Sequence, residues 1–117
     1  MKYVCLVYLG EKEMHAMTTR EADTCREESL AYDDALRTTG HLIVAHALQP
    51  VEAATTVRVR NGKLSASDGP FAETTEQLGG FILIEARDLN DAIQVAAKIP
   101  LARRGSIEVR PIKDLRP

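Results

Sequence analysis

One stretch, residues 67–81, organises the rest of this chain, and it reads SDGPFAETTEQLGGF. Glycine recurs along it, and both phenylalanines of the protein lie within it. Asp-Gly and Gly-Pro are strong turn signals, because glycine tolerates positive φ and proline fixes its own φ. The stretch therefore predicts a tightly specified turn that holds side chains in fixed directions. Such a turn suits a binding site, and it equally suits a plain reversal of the chain.

A β-hairpin is predicted immediately before this turn. Residues 55–60 alternate between apolar and polar side chains, and Asn61-Gly62 is the sequence typical of a type I′ turn. Residues 63–67 return as the second strand and lead into Asp68. After the turn, residues 81–86 form an apolar run of the length of a strand.

The remaining segments predict three strands and two helices. The first helix has the capping-box sequence Thr18 to Glu21 at its start and Gly40 after its end. The second begins at Asp88 and ends before Pro100. In chain order these segments are a strand at 2–9, a helix at 19–39, a strand at 42–48, a helix from 88 to 99 and a strand at 106–112.

Without the hairpin, this order is βαββαβ, the ferredoxin-like pattern of the α+β class. We expect a single domain over residues 1–117, with an antiparallel sheet and both helices on one of its faces. The other face then needs a cover that one chain cannot supply. A second copy is the natural cover, so we expect a homodimer in which two sheets face each other as a dimeric α/β barrel.

Composition limits the classes of partner. A net charge of −2 gives no general attraction to nucleic acid or to an anionic membrane. The N-terminus lacks the layout of a signal peptide, and Cys5 and Cys25 form neither a disulfide framework nor a zinc-binding pattern. We therefore expect a cytoplasmic protein without a metal or a cofactor.

Several stretches resemble one known family. The heptapeptide DGPFAET at 68–74 is similar to the signature of the YCII-related proteins of the DGPF type, which are small bacterial proteins. The similarity extends over nearly the whole chain, through MKY at 1–3, LQP at 48–50, TTVRVR at 55–60, EQLGGF at 76–81 and GSIEVRPI at 105–112. Two positions depart from the family pattern, namely Thr75, where lysine is common, and His46, where a small or acidic residue is usual.

The resemblance implies a dimeric α/β barrel similar to that of small isomerases and lyase-type enzymes. Some YCII relatives are proposed to use a histidine and an aspartate near a cleft. DGPF proteins are often encoded beside alternative sigma factors. A link to such a regulatory system is therefore implied as well.

Three residues are candidates for catalysis. Asp68 lies at the end of a strand and could act as a general base, or it could accept a hydrogen bond from a backbone N–H within its own turn. His41 and His46 are the candidate partners, and their spacing places them on opposite faces of one strand. Either histidine could instead be a structural residue.

Five further residues are candidates for contact with a substrate. Arg58 could bind an anion, and the two glycines could allow a ligand close to the backbone or form a β-bulge. The set consists of Phe71, Glu73, Arg58, Gly79 and Gly80. Together these observations favour a cofactor-free proton-transfer enzyme acting on a small organic molecule. A non-catalytic ligand-binding or regulatory module, or a dimeric scaffold, is the alternative.

Overall fold

The computed structural model of the protein describes residues 1–116. These residues form one four-stranded antiparallel sheet, a separate two-stranded hairpin and three α-helices. Short 3₁₀ turns lie at Val51–Ala53 and Pro100–Arg103. The elements in chain order are β1 (Lys2–Gly10), α1 (Glu11–Ala16), α2 (Thr19–Thr38), β2 (Leu42–Ala47), β3 (Thr55–Arg60), β4 (Lys63–Asp68), β5 (Glu76–Glu85), α3 (Leu89–Ala97) and β6 (Ser106–Pro111).

The large sheet has the strand order β2-β5-β1-β6, and every pair in it is antiparallel. This is the ferredoxin-like order for a βαββαβ chain, with β3 and β4 set apart as the hairpin. The prediction of a ferredoxin-like α+β fold with an inserted hairpin is therefore confirmed. The sheet of one protomer is open and does not close into a barrel.

The core lies between one face of the sheet and helices α2 and α3. Alternate residues of β1 are buried there, and Cys5 among them is fully enclosed. Burial raises the pKa of the Cys5 thiol to about 11, so the side chain behaves as a small neutral hydrophobe. The remaining buried apolar residues of the sheet and helices are Tyr3, Val7, Leu9, Leu36, Ile82, Ile84, Ala92, Val95 and Ala96.

Helix α2 begins and ends as its sequence predicts. Thr18 and Glu21 form both hydrogen bonds of a capping box, and Gly40 follows the helix with a φ of +81°. Tyr32 is a polar residue on the face of α2 that packs against the core, and its hydroxyl donates to the Val95 carbonyl of α3 over 2.6 Å. The polar residue in this face therefore joins two helices.

Two segments differ from the prediction. Residues 11–16, between the predicted strand at 2–9 and the predicted helix at 19–39, form the short helix α1. Strand β5 begins at Glu76 and not at Phe81, because the strand continues through the glycine pair. The register of β1 and β5 shifts beside Gly79, which identifies a β-bulge there. The turn itself is thus confined to residues 69–75.

Strand β2 also contains a bulge. Leu42 pairs with Ile84 and Val44 pairs with Leu83, so Ile43 is an extra residue in this strand. Leu42 therefore packs against the core, while Val44 lies on the opposite face with His46. A regular strand would place Leu42 on the same face as His46, and the bulge inverts this alternation.

No helix within residues 1–116 combines the length and the apolar character that crossing a bilayer requires.

Candidate functional site

The two candidate histidines lie on opposite sides of the sheet, as predicted, but not because of strand alternation, since His41 precedes β2 and the bulge at Ile43 lies between them. His46 pairs with Phe81 on the face that no helix covers, and the two rings meet edge to face with centroids 5.8 Å apart. His41 precedes β2, and its ring points to the start of α3 on the helix side. They therefore belong to two separate environments.

His41 is held between a hydroxyl group and a carboxylate. Its Nδ1 lies 2.7 Å from Oγ1 of Thr39. Its Nε2 lies 3.2 Å and 3.3 Å from the two carboxylate oxygens of Asp91. The Asp91 side chain is 10% exposed and the His41 side chain is 24% exposed, so the carboxylate lies deeper than the ring. We call Thr39, His41 and Asp91 the His41 cluster.

The ends of two helices place these groups. Gly40 reverses the chain after α2, and the His41 backbone N–H then donates to the Leu36 carbonyl over 2.9 Å. In α3, Asp88 is the N-cap and its side chain accepts from the backbone N–H of Asp91 over 2.8 Å. Asp91 in turn accepts from the backbone N–H of Arg87 over 3.0 Å. The carboxylate of Asp91 is therefore fixed before it meets His41.

Asp91 remains ionised at neutral pH. The backbone N–H of Arg87 contributes most to lowering the pKa of this carboxyl group, and hydrogen bonds from His41 and the Arg87 side chain lower it further. An ionised carboxylate accepts only, so Nε2 of His41 carries a proton and donates it. Nδ1 is then the basic nitrogen of the neutral ring, and the Thr39 hydroxyl donates to it.

The His41 cluster lines an open cleft of about 490 Å³. Arg87 and Glu85 bring opposite charges to its wall, and the Arg87 side chain is 87% exposed. The remaining lining residues are Met1, Gly40 and Ala86. The cleft is of the size that accepts a small organic molecule.

Asp68 lies elsewhere, at the end of the hairpin. Its side chain is exposed, and within residues 1–116 its carboxylate makes no hydrogen bond or ion pair. The turn beside it is held by other groups, because the Gly69 N–H donates to Ala54 and the Thr56 hydroxyl donates to the Gly69 carbonyl. Within residues 1–116, Asp68 is thus not in hydrogen-bonding contact with either histidine.

The comparisons with known proteins agree with the fold. Residues 1–116 match the model of the YCII-related domain. The chain belongs to the YCII-related family. It is also 35% identical over 119 residues to an uncharacterized protein of Rhizobium meliloti (strain 1021), an alignment that covers 100% of this chain and 96% of that protein.

The substrate contacts predicted for this YCII-related protein are dispersed. Phe71 is 80% exposed, and Glu73 lies in the exposed turn before β5 and not on a helical face with Glu76. Arg58 projects from the polar face of the hairpin. Their role as substrate contacts stays a prediction.

The glycine pair has a packing role that its sequence did not specify. A Cβ at Gly80 would lie 2.9 Å from the His46 carbonyl oxygen, so the missing side chain allows β2 to approach β5. Gly79 accompanies the bulge between β1 and β5. These contacts favour the β-bulge over a ligand-binding role, and the role in substrate contact stays a prediction.

Two members of the His41 cluster, Thr39 and Asp91, were not predicted as site residues from the sequence. A local signal existed in each case, since both residues lie at helix ends, where side chains often bind backbone groups. Thr39 is two positions from His41, so this contact depends on the local geometry of the helix end. The contact between Asp91 and His41 joins residues 50 positions apart, and no local pattern contains it.

Proposed function

We propose that this YCII-related protein is a small cytoplasmic enzyme that transfers protons on a small organic molecule without a cofactor, with His41 as its acid–base residue. One observation carries the proposal: the His41 ring lies between the Thr39 hydroxyl and the nearly buried Asp91 carboxylate, at the wall of an open cleft. Such chemistry requires a reacting group such as a hydroxyl, a base, and a residue that orients the base.

The cluster accommodates both protonation states of His41. When the ring is neutral, Thr39 donates to Nδ1 over 2.7 Å. When the ring is protonated, Nδ1–H donates to Thr39, whose hydroxyl then turns to the Leu36 carbonyl 3.2 Å away. Both ring nitrogens of His41 therefore keep a hydrogen-bond partner in either state.

Thr39 connects the ring to the cleft. Its side chain is exposed, whereas Nδ1 of His41 faces the hydroxyl. A proton removed from a bound substrate passes to the Thr39 oxygen as the hydroxyl proton passes to Nδ1. Asp91 stabilises the imidazolium that forms, because its carboxylate accepts from Nε2–H.

Exchange of hydrogen for deuterium tests this function without knowledge of the natural substrate. We would incubate the protein in D₂O with a set of small carbonyl compounds and follow loss of the C–H signal next to the carbonyl by NMR. We expect exchange above the buffer rate, and a decrease of about 100-fold or more in His41→Gln. His46→Gln is the matched control, because this histidine lies on the opposite face of the sheet. Equal exchange in His41→Gln and wild type would contradict the proposal.

Asp68 is the alternative base, and a second copy of the chain would have to supply its partner. Its free carboxylate shares a face of the hairpin with Val57, Val59, Leu64 and Ala66. The same exchange assay separates the two candidates, since Asp68→Asn and His41→Gln remove different bases.

A homodimer accompanies the proposed function. The helix-free face of the sheet carries Val4, Leu6, Phe81 and Leu83, and the hairpin exposes further apolar side chains. Soluble monomers rarely expose contiguous apolar patches beyond a few hundred Å². A second copy placed face to face covers this surface and encloses His46.

A non-catalytic ligand-binding or regulatory module, linked through the family to sigma-factor systems, is the second candidate. The helix-free face favours it, because apolar side chains with a few polar groups, here His46, Glu108 and Arg110, are typical of ligand sites. Ligand binding that persists in His41→Gln and is lost in His46→Gln would support this second function over the first.

A further inference from the structure

We infer that the His41 cleft takes a substrate that carries a carboxylate, and that Arg87 binds this group. The inference rests on the proposed function, because it names the substrate class for the same cleft. It follows from which hydrogen-bonding groups around the cleft are already used.

The acceptors nearest to His41 are occupied. Oδ2 of Asp91 accepts from the Arg87 backbone N–H at 3.0 Å and lies 3.2 Å from His41 Nε2, while Oδ1 lies 3.3 Å from the same nitrogen. Glu85 Oε1 lies 3.4 Å from the Met1 amino group, which donates to the Ala86 carbonyl over 2.8 Å. A bound molecule therefore finds both oxygens of Asp91 engaged and the Glu85 carboxylate ion-paired with the amino terminus.

Arg87 provides most of the free donors, because the Met1 amino group already donates to the Ala86 carbonyl and pairs with Glu85. Its Nε lies 3.5 Å from Asp91 Oδ2, which is an ion pair at the limit of hydrogen bonding. Within residues 1–116 the two terminal nitrogens make no hydrogen bond, and the side chain is 87% exposed. A guanidinium group presents five N–H donors in a planar fork, so most of its capacity is unused.

A ligand that complements this wall must bring acceptors and negative charge. The planar fork of a guanidinium matches the two oxygens of a carboxylate, which it binds through two parallel hydrogen bonds. The ion pair with Asp91 keeps Arg87 beside the His41 cluster, so the bound carboxylate lies next to the proton-transfer group. A phosphate group shares this chemistry, and the experiment below separates the two.

The entrance leaves room for such a molecule. A Cβ built on Gly40 would meet no atom within 4 Å, so the backbone between Thr39 and His41 borders open space. The cleft of about 490 Å³ accommodates a small acid.

Titrations followed by the NMR signals of the His41 ring test this assignment. The ligands are acetate, its uncharged isostere acetamide and inorganic phosphate, each at constant ionic strength set with sodium chloride. We expect a saturable shift with acetate and none with acetamide. Arg87→Gln should weaken acetate binding about tenfold or more, because a charge-assisted pair is lost. Arg103→Gln is the matched control, since Arg103 is also exposed but pairs with Glu28 in another part of the molecule.

Three results would overturn the inference. These are equal shifts with acetamide and acetate, unchanged acetate binding in Arg87→Gln, or phosphate binding about tenfold tighter than acetate, which would make the ligand a phosphoryl compound. His41→Gln separates this inference from the proposed function. Its acetate binding, followed by backbone amide signals of residues 87–91, should persist even though its exchange activity is lost.

Discussion

Gly69 has the backbone conformation that makes the turn before β5 depend on glycine. Its φ is +94°, a value that side chains with a Cβ rarely adopt, and its backbone joins the hairpin through Ala54 and Thr56. We predict that Gly69→Ala lowers the free energy of unfolding by about 1 kcal/mol or more. Urea unfolding measures this value.

Gly79→Ala is the comparison for this experiment. Gly79 does not have a positive φ, and a Cβ there would make an ordinary contact of 3.5 Å with Leu9. A loss in Gly69→Ala no larger than that in Gly79→Ala would show that the turn places no special demand on its backbone.

Substitution of Asp68 should change neither the stability of the protein nor its proton exchange. The Asp68 carboxylate is exposed and has no partner in residues 1–116. The free energies of unfolding of Asp68→Asn and Asp68→Ala should therefore both lie within about 0.5 kcal/mol of the wild-type value. With His41 as the base, both variants should also retain proton exchange.

The opposite outcomes are informative. Loss of exchange in Asp68→Asn, with full exchange in His41→Gln, would move the base to the hairpin. A lower melting temperature in Asp68→Ala alone would show that the Asp68 side chain stabilises its turn by hydrogen bonding.

The starts of α2 and α3 make the protein sensitive to acid. The pKa of Glu21 lies below its ordinary value of 4.5, chiefly because the Thr18 backbone N–H donates to it. The pKa of Asp91 lies below its ordinary value of 3.8, chiefly because the Arg87 backbone N–H donates to it. A carboxyl group whose pKa is lower in the folded state stabilises the fold above its unfolded pKa, and this contribution is lost as the pH falls through the folded value.

We therefore predict that the melting temperature falls as the pH is lowered below about 4.5, through both folded pKa values. Asp91→Asn should melt earlier at neutral pH and show a shallower decrease in acid. Glu73→Gln is the control, since Glu73 is exposed and makes no hydrogen bond within the described chain, and it should keep the wild-type profile. An unchanged acid slope in Asp91→Asn would contradict the role of this carboxylate.

The described chain is flatter and more extended than a compact domain of its length. Its radius of gyration is 16.1 Å, whereas a compact domain of this length has about 13 Å. Its extents are 47 × 46 × 19 Å, so the chain is flat, with one layer of helices on one side of the sheet. The hairpin adds to this shape, because nearly all of its side chains are exposed.

We predict that analytical ultracentrifugation at micromolar concentration detects a dimer. Leu83→Arg should convert it to a monomer, because this residue lies on the helix-free face and a buried unpaired charge is costly. Leu30→Arg is the matched control, since Leu30 is an exposed leucine on α2. A monomeric wild type, or a dimer that persists in Leu83→Arg, would contradict the prediction that this face forms the dimer interface.

The elements of this protein could be predicted from the sequence because their signals are local. Asn61 and Gly62 both have positive φ, as a type I′ turn requires, and β3 has the predicted bounds Thr55–Arg60. The capping box of α2 likewise depends on residues three positions apart. Turn geometry, capping and periodicity are interactions between near neighbours, so their residues can be read in order along the chain.

Only the tertiary structure decided which side chains meet. His41 and Asp91 are 50 positions apart, and they meet because the fold brings the residue that follows the end of α2 to the start of α3. The bulge in β2 decides that His46 faces away from the helices, and it follows from pairing with β5. Contacts of this kind depend on strand register and helix packing, which sum many weak long-range interactions. The sequence could therefore propose His41 as a site residue but could not provide its partner.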